Sequence, residues 1–254
     1  MTSPRPRAST EKTRPSMFWP LAAIIVPLTG LLAKIEVIDG HKLPREGAYV
    51  LAPNHNSEFD PIIVAVATWR MGRAPRFLAK ESLFRVPVLG WALRTTGMVP
   101  VARSASASSS RATLEASTEI VANGRGVIVY PEGSLTRDPD LWPMRGKTGA
   151  VRLALAGGIP VIPVAQWGTQ QILPRYGKLK LWPLRRRVRV VVGDPVDLTA
   201  YAARDGQAAA LIPATDVVMG EISRLLATLR DEPAPADRWD PSAHGQKETG
   251  RLES

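Results

Sequence analysis

His55 and Asp60 stand five residues apart in APNHNSEFDP (52–61), between an apolar run and a helical pattern. A carboxylate that reaches one imidazole nitrogen fixes the tautomer and leaves the other nitrogen basic, a pairing suited to taking the proton from an attacking hydroxyl. The same residues also read as helix-start chemistry. Asp60 before Pro61 is a possible N-cap with proline at the first helical position; alternatively Ser57 is the cap and Asp60 lies three residues on. A second concentration is VIVYPEGSLTRD (127–138), where Glu132 and Arg137 flank Gly133. A carboxylate and a guanidinium there could orient a hydroxylated, phosphorylated substrate, or form a plain turn with a surface ion pair. The third, GMVPVARS (97–104), ends on Arg103, which alone is only a basic residue after a strand.

Each of these groups follows a short apolar run, so the elements that position them are strands feeding polar loops. Candidate strands fall at 35–38, 48–52, 76–79, 98–102, 126–130, 160–165 and 188–192. Helical patterns lie between them at 61–69, 86–95, 109–122 and 147–156, with a last one at 214–229. Strands separated by helices predict an α/β domain whose sheet is covered on both faces, with active groups at the carboxyl ends of the strands.

The 254 residues are 44% hydrophobic and 22% charged, which fits a folded body and excludes a wholly disordered chain or a polytopic membrane protein. Cysteine is absent, which removes disulfides, thiolate nucleophiles and sulfur-ligated zinc. The net charge of +10 favours an anionic partner: phospholipid headgroups, a phosphorylated substrate or nucleic acid. Residues 231–254 carry a net −3, so the remainder carries +13. Four segments are expected: a disordered basic arm at 1–16, a membrane-associating apolar segment at 17–34, a folded domain at 35–230 and a disordered tail at 231–254. The uncharged stretch 17–33 is interrupted by Pro20, Pro27 and Gly30 and falls short of the ~20 residues a spanning helix needs. A helix dipping into or lying on one leaflet is the first expectation, with a single span and a buried core helix as alternatives. Residues 175–189 hold seven bases, no acid and a Trp among leucines, which fits contact with an anionic membrane surface, a solvated basic face or core packing.

The four blocks NHNSEFD (54–60), GMVPVAR (97–103), YPEGS (130–134) and GIPVIPV (158–164) occur in the order and approximate spacing found in the glycerolipid (lysophospholipid) acyltransferase family. The chain resembles that family over roughly 35–195, including the stretch around Ala79, Lys80, Glu81, Pro87 and Gly90. The resemblance implies a mixed, largely parallel sheet flanked by helices, with an N-terminal membrane-associating helical segment. It implies transfer of a fatty acyl group from a thioester to the sn-2 hydroxyl of 1-acylglycerol 3-phosphate. His55 then matches the catalytic base and Asp60 its orienting acid, while Arg103 and the pair Glu132 and Gly133 match residues assigned to glycerol-phosphate binding. Residues 160–164 match a block whose role is mostly that of a supporting strand. Asn54, Lys80, Ser134, Arg137 and Lys147 complete the expected substrate-binding set. The sequence departs from the family at Leu135, where an Arg is usual; Arg137, Lys80, Lys147 and Arg145 compete for that phosphate contact.

Direct attack on a thioester requires no enzyme nucleophile. None is evident: there is no cysteine, and Ser134 lies in EGSLT rather than in a G-x-S-x-G elbow. No bound cofactor and no metal are expected. The thioester of coenzyme A or of acyl carrier protein is the co-substrate, and the membrane phospholipid surface and a lysophosphatidate-type acceptor are the partners. The place of work is the cytoplasmic face of the cell membrane, held peripherally or monotopically. Acylation of glycerol 3-phosphate or another lysophospholipid is the nearest alternative. A basic lipid- or nucleic-acid-binding protein without catalysis is a different class, and no nucleic-acid motif accompanies the charge, so no nucleic acid partner is expected.

Overall fold

The computed structural model describes residues 16–80, 84–101, 107–202 and 208–247, the side chains at 79–80, 88–89, 92, 99–101, 107–113 and 208 excepted. Strands β1 (Ala33–Ile38), β2 (Tyr49–Pro53), β5 (Gly126–Ile128), β6 (Val161–Trp167) and β7 (Arg186–Val192) form the main sheet in the order β1-β7-β6-β2-β5. β3 (Leu78–Lys80) and β4 (Val99–Val101) pair in parallel beside it, joined by a parallel bridge from Phe77 to Ile128. Only the β6–β7 pairing is antiparallel among the described strands, so the sheet is mixed and mostly parallel.

Both sheet faces are apolar because both are covered. Along β2, Val50 and Ala52 pack under helices α4 (Ala107–Ala122), α5 (Gly149–Gly157) and α8 (Ala208–Arg230), through Ile120, Val151 and Ile222. The alternate residues Tyr49 and Leu51 turn to the opposite face and meet Ile63 and Ala67 of α2 (Asp60–Arg70). Helices α3 (Pro87–Thr95), α6 (Thr169–Ile172) and α7 (Thr199–Ala202) complete the set, the two short ones lying where no periodic pattern is long enough to read.

The apolar segment forms helix α1 (Phe18–Leu32), which tolerates Pro20 in its first turn and carries Pro27 internally. Its 15 residues reach about 22 Å at ~1.5 Å per residue, short of a ~30 Å hydrocarbon core. No helix among the described residues is long and apolar enough to cross a membrane. Nor is α1 a buried core helix: Phe18 stacks on Trp69 of α2, but Trp19, Ile24, Leu28 and Leu31 are exposed.

The expected disordered tail is a second correction. Residues 231–247 return to the body: Arg238 pairs with Asp216 at 2.7 Å, Asp240 with Arg145 at 3.1 Å, and Trp239 stacks on His244. One pair sets a tail base on a body acid and the other a tail acid on a body base, and Pro241 is buried there. Residues 1–15 and 248–254 lie outside the described residues.

Arg73, buried in the turn after α2, donates to the carbonyls of Pro44, Gly47 and Gly124 at 2.7–2.9 Å and lies over the Tyr49 ring. It thereby ties together the two turns that precede β2 and β5. Arg73→Met should unpair three carbonyls and lower stability by about 3 kcal/mol or more, read as a lower urea midpoint at unchanged slope.

Candidate active site

Because β2, β5 and β6 run in parallel, their carboxyl ends share one edge of the sheet, where chemistry collects in open α/β folds. β2 delivers Asn54 and His55 to this edge, β5 delivers Tyr130 and Glu132, and β6 delivers Gln166. Asn54 locks the first and third together: its amide donates to the Gln166 carbonyl (3.2 Å) and accepts from the Gln166 N–H (2.8 Å).

His55 Nδ1 lies 3.0 Å from Asp60 Oδ2. The same oxygen accepts the N–H groups of Asn56 (2.7 Å) and Ser57 (2.8 Å), so the carboxylate, fully buried, is held by three donors at one atom. Ser57 Oγ in turn accepts the Phe59 N–H at 3.1 Å. α2 starts at Asp60 with Phe59 at its cap and no side-chain cap bond, so neither helix-start reading is met as stated. One Asp60 oxygen thus holds the turn before α2 and orients the histidine. A carboxylate on Nδ1 selects the tautomer protonated there. Nε2 is left without a protein partner among the described residues, and the His55 side chain is 16% exposed.

The loop after β5 holds His55 from behind. Glu132 is fully buried, accepts the His55 N–H at 2.8 Å on one oxygen and the Met144 N–H at 3.1 Å on the other. The Thr136 N–H donates to the His55 carbonyl at 2.7 Å, so the His55 backbone is gripped on both sides. Burial pushes the Glu132 carboxyl up to about 8, opposed by the Met144 and His55 N–H groups. Tyr130 stacks on the imidazole, ring centroids 4.2 Å apart, and Phe77 stacks on Tyr130 at 6.5 Å.

The structure therefore brings His55, Asp60, Asn54 and Glu132 together, but turns Glu132 inward, toward backbone N–H groups rather than an open substrate face. Gly133 has φ +70, and a Cβ there would lie 3.0 Å from the Lys147 Cδ, so a side chain at 133 would be both strained and crowded. Lys147 thus lies across Gly133 beside the half-buried Ser134. Leu135 and Arg137 are both buried, Arg137 to 2% exposure, and so neither sits on an open rim. Arg145 is engaged by Asp240 of the tail. Lys80 ends β3, but its side chain and the whole of Arg103 lie outside the described residues.

Two site elements escape sequence reading. Tyr130 reads as a strand residue, and Arg175, whose guanidinium donates to the carbonyls of Thr136 and Asp138, lies in a distant loop. Beside the pair, an apolar cavity of about 240 Å³ runs between α1 and α2, lined by Leu21, Ile25, Pro61, Ile62, Ala65 and Phe77 among others. Pro61 and Ile62 follow Asp60 directly, and Phe77, which also lines the cavity, stacks on Tyr130; His55 and Asp60 do not line it.

Comparison with known proteins gives the family. The acyltransferase family model matches residues 34–167, and the chain belongs to that family. It is 34% identical over 147 residues to a chloroplastic 1-acyl-sn-glycerol-3-phosphate acyltransferase of Brassica napus, covering 58% of this chain and 40% of the relative. It is 29% identical over 136 residues to a 1-acyl-sn-glycerol-3-phosphate acyltransferase of Borreliella burgdorferi, covering 54% and 52% respectively. The chain thus spans about two fifths to one half of the length of these curated relatives. The crystal structure of the 1-acyl-sn-glycerophosphate acyltransferase PlsC from Thermotoga maritima has the same fold, with a TM-score of 0.60 at 22% identity over 87% of this chain and 80% of that one.

Proposed function

We propose that the chain transfers a fatty acyl group from a thioester of coenzyme A or acyl carrier protein to the sn-2 hydroxyl of 1-acylglycerol 3-phosphate, giving phosphatidic acid. The observation that carries this is the buried Asp60 carboxylate on His55 Nδ1, which leaves Nε2 without a protein partner among the described residues. In the proposed reaction Nε2 takes the acceptor hydroxyl proton as the oxygen attacks the thioester carbonyl. The tetrahedral intermediate collapses, the C–S bond breaks, and the imidazolium returns its proton to the departing thiolate. Asp60 stabilises the imidazolium between the two steps, and Glu132 keeps the His55 backbone in register. The apolar cavity takes the donor acyl chain. Lys147, with Lys80 and Arg103, is proposed to meet the acceptor phosphate. Thiol release measured against lysophosphatidate, glycerol 3-phosphate and lysophosphatidylcholine tests the acceptor: lysophosphatidate should give the highest kcat/KM, and a preference for glycerol 3-phosphate would overturn this assignment.

Filling the cavity should shorten the chain it accepts. Ala65→Phe is expected to lower kcat/KM for long-chain thioesters at least tenfold relative to short-chain ones, measured as a ratio in one assay series.

We also propose that the protein works while lying on a membrane at its cytoplasmic face. The exposed apolar side chains of α1 are continued by Leu179, Leu181, Leu184 and Trp182, the last 81% exposed. The Arg185 N–H donates to the Leu31 carbonyl at 3.0 Å, which joins this loop to the end of α1. Lys178, Lys180 and Arg187 lie among these residues, an arrangement that fits an anionic leaflet. Trp182→Ala should weaken binding to phosphatidylglycerol-containing vesicles about tenfold, measured by co-sedimentation.

A further inference from the structure

At the opposite end of the strands from His55, Arg76 precedes β3, Gly97 precedes β4 and Arg125 precedes β5. Their loops enclose a cavity of about 640 Å³ that is also lined by Arg94, Thr95 and Thr96. A Cβ placed on Gly97 would lie 3.1 Å from Arg76 Nε and 3.6 Å from Arg125 Nη1, so two guanidinium groups from different loops close over the same bare backbone. Arg94 adds a third from α3. Among the described residues lining the cavity the one carboxylate is Glu119, paired with Arg125 at 2.9 Å. All three line this one cavity, Arg94 donating to the Phe84 carbonyl at 2.8 Å and Arg76 lying over the Phe18 ring, and guanidinium forks are suited to phosphate oxygens. Phe18 and Met98 wall both this cavity and the apolar one. Phe18 opens α1, so the basic cavity lies at the N-terminal end of that helix.

We infer that Arg76, Arg94 and Arg125 form a phosphate-binding site, distinct from the acyl-transfer site, that takes the phosphate of an anionic phospholipid beside α1. The position favours a lipid headgroup over a soluble phosphate ester, because the cavity shares a wall with the helix whose apolar side chains have no cover. An occupied site would fasten the N-terminal end of α1 to the leaflet by a specific contact, where the 178–187 loop supplies only diffuse charge. The inference does not depend on acyl transfer, since its readouts are binding and stability.

The test uses the full chain and two probes. Inorganic phosphate, against chloride at matched ionic strength, should raise the melting temperature of the wild type by several degrees. Phosphatidylcholine vesicles containing phosphatidylglycerol should bind the wild type about thirtyfold more tightly than Arg94→Gln/Arg125→Gln, two basic residues at about fivefold each. Lys178→Gln/Lys180→Gln, which removes the same charge elsewhere, should weaken vesicle binding but keep the phosphate-induced rise. Thr95→Glu places a carboxylate at the cavity rim and covers the case in which losing arginines disturbs folding. It should raise the unliganded melting temperature and abolish the rise with phosphate. A phosphate response in the wild type without any preference for anionic vesicles would overturn the lipid as ligand and leave a soluble phosphate ester. An equal phosphate response in wild type, Arg94→Gln/Arg125→Gln and Thr95→Glu, or no response in the wild type, would overturn the site.

Discussion

His55→Ala should lower kcat for acyl transfer by about 10²–10⁴-fold with the fold retained, because the variant removes the base but leaves both backbone clamps on residue 55 in place. The cost in stability is expected to be small, about 1 kcal/mol for the lost stacking on Tyr130. Asp60→Asn should fall nearly as far. An asparagine oxygen can still accept the Asn56 and Ser57 N–H groups, so the loop persists, but a neutral amide neither selects the Nδ1-protonated tautomer nor stabilises the imidazolium. Since the two residues act as one unit, the double variant should be no slower than His55→Ala alone by more than a few-fold. Steady-state kinetics at saturating thioester checks all three, with circular dichroism confirming the fold. Independent, multiplying losses in the double variant would count against the coupling.

Glu132 carries the second large effect, through stability. Glu132→Ala leaves the His55 and Met144 N–H groups buried and unpaired, at about 1–3 kcal/mol each, so a loss of about 2–6 kcal/mol is expected along with displacement of His55. Glu132→Gln keeps one of the two acceptors and removes the titration, so the comparison lies in its pH dependence rather than in its absolute stability. With the folded carboxyl raised to about 8 from 4.5, the folded state holds a proton that the unfolded chain releases. The stability linked to this group is fully present below about 4.5 and is lost as pH rises to about 8. The wild type should therefore lose stability relative to Glu132→Gln across that interval, read from urea midpoints at several pH values. Parallel curves for the two proteins would show that the carboxyl does not titrate there.

The fold was largely legible in the sequence because apolar strands and turn residues alternate over short distances. Val50 and Val127 sit in short apolar runs bounded by Gly and Pro, and each of the seven expected strands overlaps one that forms. The closeness of His55 and Asp60 was legible for the same reason, since five residues within one turn leave few ways to separate them. Long-range contacts were not. Nothing near Arg175 signals that its guanidinium will hold the carbonyls of Thr136 and Asp138, and nothing near Trp239 signals that its carbonyl will accept the Arg145 N–H. The inward turn of Glu132 was hidden too, because a carboxylate beside a glycine reads as a surface group until its backbone partners are placed by tertiary structure. Leu135 shows the converse: a substitution that looks like a missing cation is a buried apolar contact.

Simultaneous measurement of thiol release and phosphatidate formation from lysophosphatidate and an acyl thioester, with wild type and His55→Ala side by side, bears most directly on direct base-assisted transfer. In the wild type, thiol should appear only when acceptor is present and in one-to-one ratio with phosphatidate, and His55→Ala should make neither at more than about a hundredth of that rate. Undiminished turnover in His55→Ala, or stoichiometric thiol release from the wild type without acceptor, would contradict it.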